Sequence, residues 1–255
     1  MPAHHVDATA LVVAIDGPSG SGKSTVARGV ASALGLRYLD TGAMYRALTW
    51  WVLRNGAFPS DANTVVALLP TFDLDISTSP LTQVVTVAGH DVTAAIRSAE
   101  VTQAVSAVSA LPRVRRYLLE AQHAIIGSGG IAVEGRDIGT TVCPDAPVKV
   151  FLTATVDARA SRRALEVEVS QASQLLPGSP DVDAVRLDLD RRDRLDSARA
   201  ASPLNQAPDA VAIDSTSLDA EQVIGAVLAL VQQRTGISPA SGAGRRLDSI
   251  GGERR

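Results

Sequence analysis

Residues 17 to 24 of this chain read Gly-Pro-Ser-Gly-Ser-Gly-Lys-Ser, a complete G-x-x-x-x-G-K-[ST], directly preceded by the apolar run Leu11, Val12, Val13, Ala14, Ile15. The run reads as a buried strand that delivers the chain into a tight, anion-cradling turn. Glycines are needed there because backbone N–H groups must curl around the β- and γ-phosphates of a nucleotide without Cβ atoms intruding. Lys23 has the reach to meet those phosphates, and the Ser24 hydroxyl suits Mg²⁺. Thr25, Val26, Val30, Ala31 and Leu34 then recur at helical spacing before Gly35, so a helix N-terminus points its positive end at the anion. Gly17, Pro18, Ser19, Gly20, Ser21, Gly22, Lys23, Ser24 and Thr25 are therefore the candidate nucleotide contacts, with Ser24 the candidate Mg²⁺ ligand.

Strand and helix alternate through most of the chain. Arg37 to Asp40 reads as a short strand and Met44 to Leu53 as a helix ending before Asn55 and Gly56. Ile131 to Val133, Val148 to Leu152 and Ala210 to Ile213 are compact apolar runs of buried parallel strands. Helices follow the last two, at Ala158 to Val169 and Leu218 to Gln233, the second opened by Thr216 with Asp219 three residues on. The pattern predicts an α/β fold, a doubly wound parallel sheet with helices on both faces.

Two stretches interrupt the alternation. Thr71 to Ile76 and Gln83 to Val87 read as strands leading into a helical stretch from Ile96 to Ser109, a small insert rather than a second domain. Pro177 to Pro203 encloses the dense charge run Arg-Leu-Asp-Leu-Asp-Arg-Arg-Asp-Arg-Leu-Asp-Ser-Ala-Arg. The segment from Gly236, rich in Ser, Gly and Arg, has little to bury and is expected to be disordered.

Composition narrows the function classes. With 255 residues, 45% hydrophobic and 20% charged, the chain can bury a large core. The single cysteine, Cys143, excludes an internal disulfide and offers no metal cluster, which fits a reducing compartment. Neither a signal peptide nor a bilayer-spanning run is visible, so the expected location is the cytoplasm, with no membrane partner. A net charge of −3 gives no global basic field for nucleic acid. Only Lys23 and Lys149 among the 24 basic residues are lysines, so arginine abundance says little and arginine placement must carry the argument.

A phosphate loop names the donor, not the reaction. A GTP switch needs an Asn-Lys-x-Asp motif, and neither lysine lies in one. A motor ATPase usually ends a strand in paired carboxylates, whereas the strand at Ile131 to Val133 runs into Glu134-Gly-Arg-Asp. Kinases of small acceptors fit better, because they gather positive groups around two phosphoryl groups under a lid that excludes water. Arginines indeed fall at strand ends, Asp40-Thr-Gly-Ala-Met-Tyr-Arg46 and Glu134-Gly-Arg136-Asp137, where ligands bind in open α/β sheets.

From about Leu11 to Arg234 the chain resembles the bacterial cytidylate kinases, a family of P-loop nucleoside monophosphate kinases. The resemblance rests on Ile-Asp-Gly-Pro-Ser-Gly-Ser-Gly-Lys at 15–23, Leu-Asp-Thr-Gly-Ala-Met-Tyr-Arg at 39–46 and Ile96-Arg97. It continues with Pro-Arg-Val-Arg at 112–115, Gly-Arg-Asp-Ile-Gly-Thr at 135–140 and Arg-Asp-x-x-Asp-x-x-Arg at 192–199. Glu134 stands where an Asp is common, and Cys143 where a larger apolar residue is usual. The resemblance implies transfer of a phosphoryl group from ATP, with Mg²⁺, to CMP or dCMP. It also implies one kinase domain over 1–235, in which an insert near 62–108 closes over the monophosphate and a lid near 178–202 covers ATP, acting as a monomer.

By the same resemblance Arg46, Arg136 and Arg199 match the positions that hold the CMP phosphate, and Arg192 and Asp196 those that meet the ribose. Ser106, Arg115 and Asp137 match base contacts, and Thr41 falls in the CMP motif. Lys23, Arg136, Arg192 and Arg199 are the implied catalytic cations. Another P-loop kinase of a small acceptor, such as a different nucleoside monophosphate or shikimate, remains open at this stage, as does an ATP-gated binding module without turnover. The base-contact trio separates the first, and ADP release with and without CMP separates the second.

Overall fold

The computed structural model describes residues 7–173, 181–199 and 201–239. Its centre is a five-stranded parallel sheet built from β1 (Val12–Asp16), β2 (Arg37–Asp40), β6 (Ile131–Gly135), β7 (Val148–Thr153) and β8 (Val211–Asp214). The spatial order is β2-β6-β1-β7-β8, which puts the strand carrying the phosphate loop in the middle. Val13 lies opposite Ala132 on one side and Val148 on the other.

Strand residues alternate between two faces, and each face has its own core. Val13, Ile15, Tyr38, Ala132, Val150 and Leu152 point toward α1 (Lys23–Leu34) and α8 (Ala220–Thr235), where they meet Val26, Val30, Val227 and Val231. Ala14, Leu39, Ile131 and Val133 point the other way, toward α2 (Thr41–Arg54) and α5 (Pro112–Ile126), and meet Ala43, Met44, Val114 and Leu118. The doubly wound arrangement expected from the sequence is therefore present.

Between α2 and α5 stands the insert, comprising α3 (Ala62–Ala67), a three-stranded antiparallel sheet of β3 (Leu74–Ile76), β4 (Val85–Val87) and β5 (His90–Asp91), and α4 (Ala99–Ser109). Ile76, Val85, Val87, Val92 and Ile96 belong to the same buried cluster as Met44 and Leu48 of α2, so the insert has no separate core. The helical stretch expected from Ile96 to Ser109 is broken in two. A 3₁₀ turn covers Ala95–Arg97, and Ser98 starts α4 by accepting from the Val101 N–H.

The last helix corrects a second expectation. Thr216 does not open it, because the Thr216 hydroxyl donates to Asp214 at 2.6 Å within the preceding turn. Asp219 is the N-cap, and with Gln222 it forms a reciprocal capping box ahead of Ala220–Thr235. Gly236 closes α8 with φ +77°, and Ile237 packs against that helix's core. The rest of the segment expected to be disordered lies, from 240, outside the described residues.

The charge-dense run forms α7 (Val182–Ser197), packed on α6 (Val156–Ser173). Its buried face carries charges, Arg192 and Asp196 beside Leu189, while Leu187 and Leu195 are exposed. Residues 178–180 and 200 of the expected lid lie outside the described residues. Among the described residues no helix is long and apolar enough to cross a membrane.

Candidate active site

Three of the five parallel strands end at one side of the sheet against a single cavity of about 540 Å³. Its lining runs from Ser19 and Lys23 of the phosphate loop to Ser106 and Asp137. Such a crevice beyond the carboxyl ends of parallel strands is where α/β sheets bind ligands.

At one end the chain leaves β1 and turns through residues 17–22. Gly17 has φ +147°, and a Cβ there would lie 2.1 Å from the Leu152 carbonyl oxygen. Gly20 has φ +78°, and its Cβ would press on the backbone of Arg159 at 3.1 Å. Both glycines are thus demanded by conformation and by packing. Gly22 caps α1 without a side-chain acceptor, which leaves the first N–H groups of that helix free for an anion. Lys23 is only 6% exposed, and its ammonium donates to the Pro18 carbonyl at 2.7 Å. Burial, then the nearby Arg136 charge, holds its pKa well below that of a free lysine.

Next to this loop, at the end of β6, Glu134 accepts from the Tyr38 hydroxyl at 2.5 Å, and its backbone carbonyl accepts from Thr41 at 2.7 Å. Burial and the Asp40 charge push the Glu134 carboxyl up from the ordinary carboxylate range. Ser24 is an exposed residue that lines the cavity, its side chain beside this acid. Among the described residues no cluster of three His, Cys, Asp or Glu is placed to hold a metal.

The other end is made of guanidinium groups. Arg136 donates to Asp196 at 3.0 Å, and Arg199 pairs with the other oxygen of the same carboxylate while reaching the Ser109 hydroxyl at 2.9 Å. Arg115 pairs with Asp137 at 2.5 Å and lies over the Tyr45 ring, 5.4 Å from its centroid. Arg46 donates to the Ile96 carbonyl at 3.2 Å and the Thr102 hydroxyl at 2.9 Å. Burial, then the Arg192 and Arg163 charges, pulls the Arg46 pKa down to about 9. Burial and Arg136 depress Arg192 in the same way. The Nε atoms of Arg115, Arg192 and Arg199 are buried with no hydrogen-bond partner. Crowded, half-satisfied cations of this kind are stabilised by an anion with several acceptor oxygens.

Of the residues singled out in the sequence, Ser19, Gly20, Gly22, Lys23, Ser24 and Thr25 line the cavity. So do Thr41, Arg46, Ser106, Arg115, Arg136, Asp137, Arg192, Asp196 and Arg199. Gly17, Pro18 and Ser21 do not; they shape the turn from behind, with the Ser21 hydroxyl donating to Pro18 at 3.0 Å. Sequence reasoning missed Arg28, Tyr45, Ser109, Glu134 and Arg163, which also line the cavity. Arg28 lies one turn past Ser24 on α1, a spacing that places it above the loop; Arg163 sits on a helix face that carries no readable signal by itself.

A phosphate loop and an arginine cluster facing one another across one cavity define a P-loop kinase of an anionic small molecule. Residues 13–233 match the cytidylate kinase family. Over 227 residues the chain is 48% identical to a cytidylate kinase of Streptomyces avermitilis, covering 88% of this chain and 94% of that one. It is 48% identical over 231 residues to a cytidylate kinase of Rhodococcus opacus, covering 90% and 98%. Identity reaches 51% over 219 residues with a bifunctional pantoate ligase/cytidylate kinase of Synechococcus, covering 85% of this chain and 43% of that one. The chain belongs to the cytidylate kinase family.

Proposed function

We propose that this protein transfers the γ-phosphoryl group of ATP to the phosphate of CMP, and of dCMP, giving the diphosphate and ADP. The observation that carries this reading is the facing pair of anion sites: a glycine loop with free backbone donors at one end, and converging, partly unsatisfied arginines at the other. Two phosphate groups brought together need such a pair, because each repels the other until cations surround both.

In this reading the loop 17–25 cradles the donor phosphates, and Lys23 leaves the Pro18 carbonyl to follow the group in flight. Arg46, Arg136 and Arg199 grip the acceptor phosphate, whose oxygen attacks phosphorus in line. Because the acceptor is already an anion, no general base is required, and catalysis is positioning plus charge neutralisation. Arg192 and Asp196 face the ribose, while Ser106, Arg115 and Asp137 read the base and Thr41 lines the acceptor pocket. An ionised Asp137 accepts from the exocyclic amino group of cytosine but meets the uracil carbonyl as acceptor against acceptor. The Ser24 hydroxyl next to a buried acid fits Mg²⁺, which typically takes one or two protein oxygens plus substrate phosphates. When bound, that ion would neutralise charge on the β- and γ-oxygens. The insert near 62–108 and the lid near 178–202, to which α7 belongs, close over acceptor and donor, denying the γ-phosphate to water. All these groups come from one chain, and we read it as a cytoplasmic monomer.

ADP release in a coupled assay with CMP, dCMP, UMP or no acceptor tests the reading, and Asp137→Asn sharpens it. Turnover should require CMP or dCMP, and the variant should narrow the preference for CMP over UMP by the equivalent of about 1–3 kcal/mol. ADP release that is indifferent to CMP would overturn the activity; an unchanged CMP-to-UMP ratio in the variant would overturn the role of Asp137.

A further inference from the structure

Asp16 ends β1 and immediately precedes the phosphate loop. Its carboxylate is 4% exposed, yet among the described residues it forms no ion pair. A buried carboxylate without a cation is costly, so its surroundings should show what it holds. One oxygen accepts from the Ile138 N–H at 2.8 Å and the other from the Gly139 N–H at 2.7 Å. These donors open a π-helical turn, Ile138–Val142, that follows directly on Arg136 and Asp137. The Thr141 and Val142 N–H groups both donate back to the Asp137 carbonyl, at 2.9 and 3.1 Å, closing the turn on the residue just before it.

The fit is tight and specific to a carboxylate. A Cβ on Gly139 would crowd the Lys149 side chain at 3.2 Å and stand in ordinary contact with Asp16 Oδ2 at 3.4 Å. Two adjacent N–H groups need two acceptor oxygens; an amide would turn its own donor toward one of them. Asp16 thereby ties the strand that launches the phosphate loop to the segment that carries Arg136 and Asp137.

We propose that Asp16 is a positioning residue for acceptor selection: it fixes the 136–139 segment so that Arg136 and Asp137 stand in register with the donor loop one residue away from it. The proposal rests on the reading of Asp137 as a base contact. Asp16 touches neither substrate, and its effect is exerted through two backbone hydrogen bonds.

The test compares the unchanged protein with Asp16→Asn, Gly139→Ala and Asp137→Asn, measuring kcat and KM separately for CMP, UMP and ATP. Gly139 has no left-handed φ, so alanine there does not strain the backbone; its Cβ reaches Asp16 Oδ2 at 3.4 Å and crowds Lys149 at 3.2 Å, a milder perturbation of the same contact that serves if the Asp16 variant folds poorly. Asp16→Asn is expected to lower kcat/KM for CMP at least tenfold and for UMP much less, and Gly139→Ala to act in the same direction by a smaller factor, with the KM for ATP within twofold in both. Amide exchange at Ile138 and Gly139 in the ligand-free protein should quicken in Asp16→Asn. Equal losses for CMP and UMP, or unaltered exchange at those two amides, would overturn the role of Asp16. Asp137→Asn keeps the two readings apart: a ratio unmoved by Asp137→Asn removes the base contact itself, whereas a ratio narrowed by Asp137→Asn but not by Asp16→Asn removes only the positioning role.

Discussion

The two ends of the cavity meet phosphate with different materials. At the loop end the donors are backbone N–H groups, fixed by glycine geometry around Gly17 and Gly20, with the one buried ammonium of Lys23 among them. At the other end they are guanidinium groups drawn from α2, α5, the end of β6, α7 and Arg199 just after it, which repel one another; Asp137 holds Arg115, Asp196 holds Arg136 and Arg199, and Arg46 rests on the Ile96 carbonyl and the Thr102 hydroxyl. The first end carries a single unfavourable charge, Lys23, whose pKa burial depresses. The second crowds several, visible in the depressed pKa of Arg46 and Arg192, and a dianion there would relieve all of them together. A cation removed from the loop end should therefore damage catalysis while sparing the fold, and a counter-ion removed from the arginine end should damage both.

Lys23→Ala should give the largest effect. The loss of its charge on the phosphoryl in flight should cut kcat by roughly 10² or more. The KM for CMP should change little. The melting temperature should hold or rise, because burial already opposes the lysine charge. Near-normal turnover at saturating ATP would break the comparison at its loop end.

Asp196→Asn attacks the other end. One carboxylate there receives both Arg136 and Arg199 and is itself buried, so the substitution weakens two pairs together. Removing one partner of a buried pair costs about 3–5 kcal/mol, and the amide retains part of the hydrogen bonding. We expect kcat/KM for CMP to fall roughly tenfold to a hundredfold and the melting temperature to fall by several degrees, with little change in the KM for ATP. A variant that loses activity without any loss of stability would show that Asp196 is not the keystone of the arginine end.

The same contrast explains what the sequence made legible. The phosphate loop is a local pattern in which eight consecutive residues dictate one backbone path, and the strand before it and helix behind it were readable from apolar spacing alone. The arginine end is assembled over a span from Arg46 to Arg199, and spacing within a segment says nothing about which segments meet. There the resemblance to a family supplied the grouping. It did not supply Arg163 or Ser109, whose places depend on how α4, α6 and α7 pack. Thr216 was misread as a helix cap because a threonine three residues before an acid fits the capping pattern, whereas its hydroxyl is committed to Asp214. The π-helical turn after Asp137 has no sequence signature of its own, since what fixes it is Asp16, more than a hundred residues earlier in the chain.

α7 stands between the two ends. Asp193 on that helix pairs with Arg159, which also donates to the Ser19 carbonyl of the loop at 3.1 Å, while Arg192 and Asp196 line the cavity beside the arginines. Exposed Leu187 and Leu195 show how little apolar surface the helix buries, so it should open readily without ligand. Hydrogen exchange over 182–197 should slow most when CMP and a non-hydrolysable ATP analogue are added together, and less with either alone. Full protection in the free protein would mean that the two ends are bridged permanently.

The smallest expected effect concerns the buried carboxylate that joins the ends. Burial raises the Asp16 pKa to about 6 from an ordinary 3.8, against the lowering pull of the Gly139 and Ile138 N–H groups. The Asp137 charge adds to the rise and Lys23 opposes it, while the Lys149 side chain and Cys143 lie close by. Between those two values the folded protein holds a proton that the unfolded chain has released, so this group's contribution to stability is full below about pH 3.8 and lost as the pH rises through about 6. Asp16→Asn has no such proton to lose. Melting temperatures of the two proteins measured from pH 4 to pH 7.5 should therefore drift in favour of the asparagine variant as pH rises, then run parallel above about pH 6.5. Each kcal/mol of that drift corresponds to about 2–4 °C in a domain of this size. Other titrating groups cancel in the difference unless they sense Asp16 directly, which leaves Asp137 and Lys23 as the ones to check by repeating the scan in Asp137→Asn. A drift of the opposite sign would mean that the two backbone N–H bonds outweigh desolvation, and that the link between strand and acceptor segment is held at no cost to the fold.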